Sequence, residues 1–422
     1  MSGIDAILEG VPIPRMVRVR QSLVYPSVKD VALCLSEKFA EKNALSGMKP
    51  GDTVAVTAGS RGITGLPVIL RTVTSEIRAA GGAPFIFPAM GSHGGATAEG
   101  QSAMLDGMGI SEDTVGAPVK SSMETVTVGE TQDGSPVYMD KFASEADWIV
   151  VVNRIKPHVS FRGDYESGLM KMITVGMGKG RGAESAHRMG FGKMAENVLS
   201  FAKVVMAKRR ILCAVGILEN PNHETAELEV LRGDEIESRE PELLRRAWEL
   251  YPKLCFDRLD ALALDEIGKD ISGTGFDTNV LGRYHTRYAS GGPDITRICV
   301  LDITDKSHGN GNGLGILDFT TRRAFEKFDF EQSYPNSLTS TVPMSVKIPM
   351  VLKNDMQAIQ AAIRTCNVWD MRRVRFVRVK NTVSLGEMEI SESLVEEASR
   401  HPNLKIISDP YDLNFDESGN LF

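Results

Sequence analysis

From about residue 50, the hydrophobic positions of this chain fall into short apolar runs separated by amphipathic stretches. That rhythm predicts strands alternating with helices. Thr53-Val-Ala-Val-Thr, Ala83-Pro-Phe-Ile-Phe-Pro and Trp148-Ile-Val-Val-Val read as buried strands, although the prolines of the second fit only its ends. Helical spacing predicts helices from Pro67 to Ala80 and from about Thr97 to Met108, and Asp133-Gly-Ser-Pro marks a hairpin. Further on, Lys193–Lys208 reads as a helix and Ile211-Leu-Cys-Ala-Val-Gly-Ile-Leu as a buried strand. Glu240 to Tyr251 reads as a charged amphipathic helix, with Pro241 in its first turn and Pro252 just past its end. Before this regular region, residues 1–15 form an arm, Met16-Val-Arg-Val-Arg-Gln-Ser-Leu alternates like an edge strand, and Pro26 to Lys42 has helical spacing.

The pattern restarts near Phe256–Leu259 with Leu259-Asp-Ala-Leu-Ala-Leu, followed by Arg297-Ile-Cys-Val-Leu-Asp-Ile-Thr, a helix over 354–366 and a strand over 374–380. At 422 residues the chain is too long for one core. The expectation is an α/β protein of two domains. Residues 1–255 would form a doubly wound, largely parallel sheet that carries the catalytic and cofactor-binding groups. Residues 256–400 would form a second α/β domain closing a cleft that holds the active site. The last twenty residues, with Leu404-Lys-Ile-Ile-Ser, are candidates to return to the first domain.

Three successive loops, each after a predicted strand, carry Arg61, His93 and His158. In a parallel sheet such loops converge on one edge, where backbone N–H groups and helix N-termini collect ligands. His93 lies in Gly-Ser-His-Gly-Gly, where glycines permit close backbone approach and leave the imidazole unshielded. His158 follows Lys156-Pro157, and His187 closes the stretch Glu184-Ser-Ala-His. Lys171 sits in Gly-Leu-Met-Lys-Met-Ile, whose apolar neighbours would desolvate the amine and favour its nucleophilic form, or else let it snorkel from a helix rim. Lys179 is a nearby competitor. Arg61 suits a carboxylate or phosphate gripped through two hydrogen bonds. Lys306 and His308 precede the glycine-rich run 309–315, which is either a ligand loop or a tight crossover. That run lacks a Gly-Lys-Ser/Thr ending, and no Gly-x-Gly-x-x-Gly follows a first strand, so a nucleotide-triphosphate or dinucleotide role has little support. His223, His285 and His401 read as structural.

Composition narrows the classes. A net charge of −7 argues against a general nucleic-acid binder, and no apolar run approaches the roughly 20 residues of a membrane span. The N-terminus has no basic segment followed by an apolar one, so a cytoplasmic protein is expected. The five cysteines are scattered and odd in number, which fits small core residues in a reducing compartment.

With these residues in place, the chain resembles the lactate racemase family, whose members use a nickel-pincer nucleotide, the nickel complex of pyridinium-3-thioamide-5-thiocarboxylic acid mononucleotide. The shared order is an Arg loop, a Gly-Ser-His loop, a Pro-His loop, a lysine after glycines, and a histidine 16 residues beyond that lysine. The resemblance implies His93 and His158 as the acid/base pair, Lys171 as the covalent anchor of the cofactor and His187 as the nickel ligand. It places Arg61 in substrate binding; the family's substrate-binding Gln and Lys of the second domain have no clear match, so Lys306 and His308, from the likely region, stand as substrate-binding candidates and Ser60 as a cofactor-binding candidate. The chain departs from the family where Asp-x-Thr-Arg-Pro is replaced by Ala58-Gly-Ser-Arg-Gly, and Ser-Gly-Gly-Arg-Lys by Glu166-Ser-Gly-Leu-Met-Lys. The gap between His158 and Lys171 is also longer by a few residues.

The implied activity is inversion at C2 of a small 2-hydroxy acid or sugar acid. The C2 hydrogen is weakly acidic, so its removal as hydride, while a base takes the hydroxyl proton, avoids a carbanion. Return to the other face needs a base on each side, which two neutral histidines supply. Two other classes stand beside this one: a zinc hydrolase built on the histidines, and a non-catalytic binder of a nucleotide or sugar acid. No nucleic-acid or membrane partner is expected, and oligomerisation is left open.

Overall fold

The computed structural model of the chain describes residues 3–22, 24–60 and 62–422. Arg61 therefore lies outside the described residues. Among the described residues, fifteen strands run in chain order: β1 (Met16–Gln21), β2 (Thr53–Ala58), β3 (Ala83–Pro88), β4 (Thr125–Glu130), β5 (Pro136–Asp140), β6 (Trp148–Arg154), β7 (Ile211–Glu219) and β8 (Thr225–Arg232). They continue with β9 (Arg258–Ile267), β10 (Asp294–Ile303), β11 (Phe319–Thr321), β12 (Met350–Leu352), β13 (Phe376–Val379), β14 (Glu387–Ser391) and β15 (Leu404–Ile406). The chain divides into two compact units, one of residues 25–251 and one of residues 1–24 with 252–422. It is a mixed α/β protein. Among the described residues no helix is long and apolar enough to cross a membrane.

In the unit of residues 25–251, a five-stranded sheet has the order β3-β2-β6-β7-β8. Its first four strands are parallel, and β8 closes it antiparallel to β7. Alternation along each strand sends side chains to two separate cores, as a doubly wound sheet requires. Val54, Val56, Val150 and Val152 pack with the helices Val31–Lys42 and Leu66–Ala79. Ala55, Ile149 and Val151 pack on the other face with Phe191–Lys208 and Ile236–Glu249. The prolines of β3 are tolerated because β3 is the sheet edge.

The helix expected from Glu240 begins four residues earlier, so Pro241 lies inside Ile236–Glu249. A proline there cannot donate to the carbonyl of Glu237. The hydroxyl of Tyr165 donates to that carbonyl instead, at 2.7 Å, so the interior proline leaves no orphan acceptor.

The other unit holds an eight-stranded sheet of order β12-β11-β10-β9-β13-β14-β1-β15. Strands β12 to β13 are parallel, and β14, β1 and β15 run antiparallel to their neighbours. Two expectations are corrected here. Met16–Gln21 is an interior strand between β14 and β15, with Met16, Val17 and Val19 buried. Both it and the last twenty residues belong to this unit, not to the one that carries the histidine loops. The reason is pairing: β1 takes its hydrogen bonds from Glu387–Ser391 and Leu404–Ile406, distant in sequence.

Candidate active site

Parallel pairing of β3, β2 and β6 sets their carboxyl ends side by side. The loops that leave those ends carry His93, Ser60 and His158 respectively. Nδ1 of His93 lies 2.6 Å from Oγ of Ser60, so the first two loops meet through a ring–hydroxyl hydrogen bond. His93 is otherwise exposed. Gly59 has little room: a Cβ there would meet Cε of Met172 at 3.1 Å, so the loop after β2 lies directly on the segment that carries Lys171.

The His158 loop is closed at its neck, where Lys156 and Ser167 exchange backbone hydrogen bonds of 2.7 and 3.2 Å. Inside it, the Glu166 carboxylate accepts the backbone N–H of His158 at 2.6 Å and of Gly163 at 3.3 Å, and pairs with Arg162 at 3.4 Å. Burial pushes the Glu166 carboxyl upward, while these donors and Arg162 oppose the shift. Nδ1 of His158 accepts the Ser160 backbone N–H at 3.1 Å, and its Nε2 lies 2.5 Å from Nζ of Lys171. The Phe161 ring sits 4.4 Å from the imidazole.

Lys171 ends the short helix Leu169–Lys171, which passes into a π-helical turn over Met172–Gly176. Such turns widen the helix locally and recur at functional sites. The segment is held by Glu240, which accepts the backbone N–H of Met170 at 2.7 Å from the helix Ile236–Glu249. Gly168 is needed here, because a Cβ would come within 2.1 Å of Oε1 of Glu240. Glu240 is 1 % exposed, and burial pushes its carboxyl up to about 8.

His187 closes the helix Lys179–His187. Its Nδ1 donates to the carbonyl of Ala183 at 2.7 Å, one helical turn back, which leaves Nε2 with its lone pair. Burial, with Lys171 adding to it, pushes its pKa down to about 4, so the ring is neutral at ordinary pH. A neutral imidazole with one nitrogen committed to a carbonyl is the form a metal ligand takes. The Phe191 ring lies 5.9 Å from His187 and 6.0 Å from His158, so one aromatic side chain touches both.

Lys179 is placed differently from Lys171. It is fully buried, and its amine contacts Pro88, Gln101 and Asp140. Lys306 and His308 lie in the other unit, exposed, on the loop after β10, with His308 in the left-handed region at φ +48°. In the run that follows, a Cβ at Gly311 would come within 2.3 Å of the Phe328 ring, and Gly313 has φ +102°, so those glycines answer a packing demand. The sequence reading missed Glu166 and Glu240. Glu166 had a weak local signal, an acidic residue just before Ser-Gly in the His158 loop; Glu240 had none, since it reaches Met170 from seventy positions away.

Among the described residues, no three His, Cys, Asp or Glu side chains cluster as a metal site. Residues 17–198 match the family model described as the lactate racemase N-terminal domain. No curated protein matches the sequence. Among solved structures, the chain is similar to the lactate racemase apoprotein from Thermoanaerobacterium thermosaccharolyticum, at 12% identity and TM-score 0.51, over 87% of this chain and 94% of that one. At that identity the likeness speaks for the fold. Over residues 17–198, this chain is thus similar to the lactate racemase N-terminal domain.

Proposed function

We propose that the protein is a racemase or epimerase that inverts C2 of a 2-hydroxy acid or sugar acid, using a nickel-pincer nucleotide. The observation that carries this reading is the grouping of His158, Lys171 and His187 about Phe161 and Phe191, with His187 neutral and its Nε2 uncommitted. When bound, the cofactor supplies a hydride acceptor, which no side chain offers.

The chain's own residues do the rest. His93 and His158 each hold or take the hydroxyl proton, one for each face of the substrate. Ser60 orients the His93 ring through the 2.6 Å hydrogen bond, the role a fixed partner plays for a general base. Lys171 anchors the cofactor covalently and His187 ligates nickel. Arg61 grips the substrate carboxylate; Lys306 and His308 are the further substrate-binding candidates of the other unit. The zinc-hydrolase alternative lacks a three-residue donor set among the described residues.

The test is to produce the protein in a host that builds the cofactor, measure its intact mass and nickel content, and screen chiral 2-hydroxy acids for racemisation. Nickel near one equivalent, a mass increment on Lys171 and loss of optical purity are expected. Stoichiometric zinc with hydrolysis, or a loaded protein that racemises none of the acids, would overturn the reading.

A further inference from the structure

Among the buried ionisable groups that the proposed reaction leaves unused, Lys179 leads, through Gln101, to the His93 loop. It has no exposed surface, and its backbone stands at φ +54°, where glycine is the favoured residue. Gly178 and Gly180 flank it. A lysine in that place is both strained and desolvated, so its side chain must contribute what a glycine could not.

Its contacts say what that is. Nζ donates to the carbonyl of Pro88, at the end of β3, at 2.6 Å and to Oε1 of Gln101 at 2.9 Å, and lies 3.2 Å from Oδ2 of Asp140. Burial drives this lysine and this aspartate toward their neutral forms, and each holds the other charged. Gln101, also fully buried, hands the connection on. Its Nε2 donates to the carbonyl of Gly91 at 2.9 Å and to that of His93 at 3.2 Å. Both main-chain acceptors flank the exposed ring of His93. The same loop rests on the next segment, where the Gly91 N–H donates to the Gly176 carbonyl at 3.3 Å and a Cβ at Gly91 would touch Ala183 at 3.5 Å. Lys179 also begins the helix that ends in His187.

We propose that Lys179, Gln101 and Asp140 form a positioning unit that fixes the His93 loop to the helix carrying His187, so that Gln101 and Lys179 set the reach of His93 without touching substrate. The effect on turnover rests on the acid/base role given to His93; the effect on the loop does not. This is what a buried cation contributes here: a rigid three-way junction between β3, the His93 loop and that helix.

The test uses Gln101→Met, which keeps most of the volume and removes both bonds to the loop. The paired variant Asp140→Asn with Lys179→Met removes the junction without stranding a charge. Amide hydrogen exchange is read over residues 89–96, with β2 and β6 as internal references. Steady-state kinetics are read on the cofactor-loaded enzyme. In Gln101→Met, exchange of the 91–96 amides should rise by about tenfold or more while the reference strands stay protected. The value of kcat should fall by roughly 10²-fold, with KM within about twofold, because a base displaced by an ångström loses rate before it loses binding. The paired variant should show the same pattern. Unchanged loop exchange in Gln101→Met overturns the positioning unit, whatever the activity. A loosened loop with normal kcat overturns its tie to His93. If the wild type itself racemises nothing, the exchange result still decides the unit, and the functional reading falls separately.

Discussion

Nζ of Lys171 lies 2.5 Å from Nε2 of His158, and the other nitrogen of that ring accepts the backbone N–H of Ser160. A neutral imidazole whose Nδ1 accepts must carry its proton on Nε2. To accept from that N–H the lysine amine would have to present its lone pair, the form that acts as a nucleophile. A small acylating reagent at neutral pH should therefore label Lys171 ahead of the exposed Lys208, as read by peptide mass. His158→Ala should remove that lead. Labelling of Lys171 no faster than of Lys208 in the parent protein would reverse the donor assignment.

His93→Ala and His158→Ala should each lower racemisation in both directions by roughly 10²–10⁴-fold. The fold should survive, because Glu166 is held by the backbone N–H of His158, which the substitution keeps. Circular dichroism checks the fold, and polarimetry from each enantiomer checks the rate. Near-normal turnover of either variant in both directions would dissolve the pair.

Lys171→Ala and His187→Ala should fail in opposite ways. The first loses the covalent mass increment and retains part of the nickel; the second retains the increment and loses nickel. His187 has its pKa pushed down to about 4, so protons compete for Nε2 only near that value. Nickel retention should stay level from about pH 8 to pH 5 and drop as pH approaches 4, whereas an ordinary histidine would begin to fail near pH 6.5. A midpoint of metal loss near pH 6.5 would show that the burial of His187 does not persist in the loaded enzyme.

Glu240 should make the protein less stable as pH rises. Its folded value is raised from 4.5 to about 8, so between those values the folded state binds a proton that the unfolded chain has released. Stability is then lost as pH climbs through that window. Glu240→Gln keeps an acceptor for the Met170 N–H and removes the linked proton. Its melting temperature should exceed the parent's at pH 8.5, with the gap closing by about pH 5. An equal gap at both pH values would mean that no proton is linked to Glu240.

The local pattern was legible where local physics writes it. Buried parallel strands require near-continuous apolar runs, which is why β2, β3 and β6 stood out and why the candidate residues could be assigned to the loops after them. The ordering of His93, His158, Lys171 and His187 was likewise visible, since each sits in a short motif of glycines, prolines or apolar neighbours. Pro241 misled the reading of its helix: a proline marks a start when only the local chain is considered, and the hydroxyl that makes an interior proline tolerable belongs to Tyr165.

Taken alone, the sequence determined the α/β class and the set of residues worth watching, because hydrophobic period and motif spacing are properties of neighbours in the chain. Tertiary structure decided which lysine is buried in a junction and which faces a histidine. Lys171 and Lys179 each follow a glycine within three residues, yet one meets His158 and the other meets Pro88, Gln101 and Asp140. It also decided that β1 lies inside the sheet of residues 252–422, between partners near positions 390 and 405. In each case the deciding quantity was desolvation or a hydrogen-bond partner. Both are supplied by segments far away in sequence, and no local pattern records them.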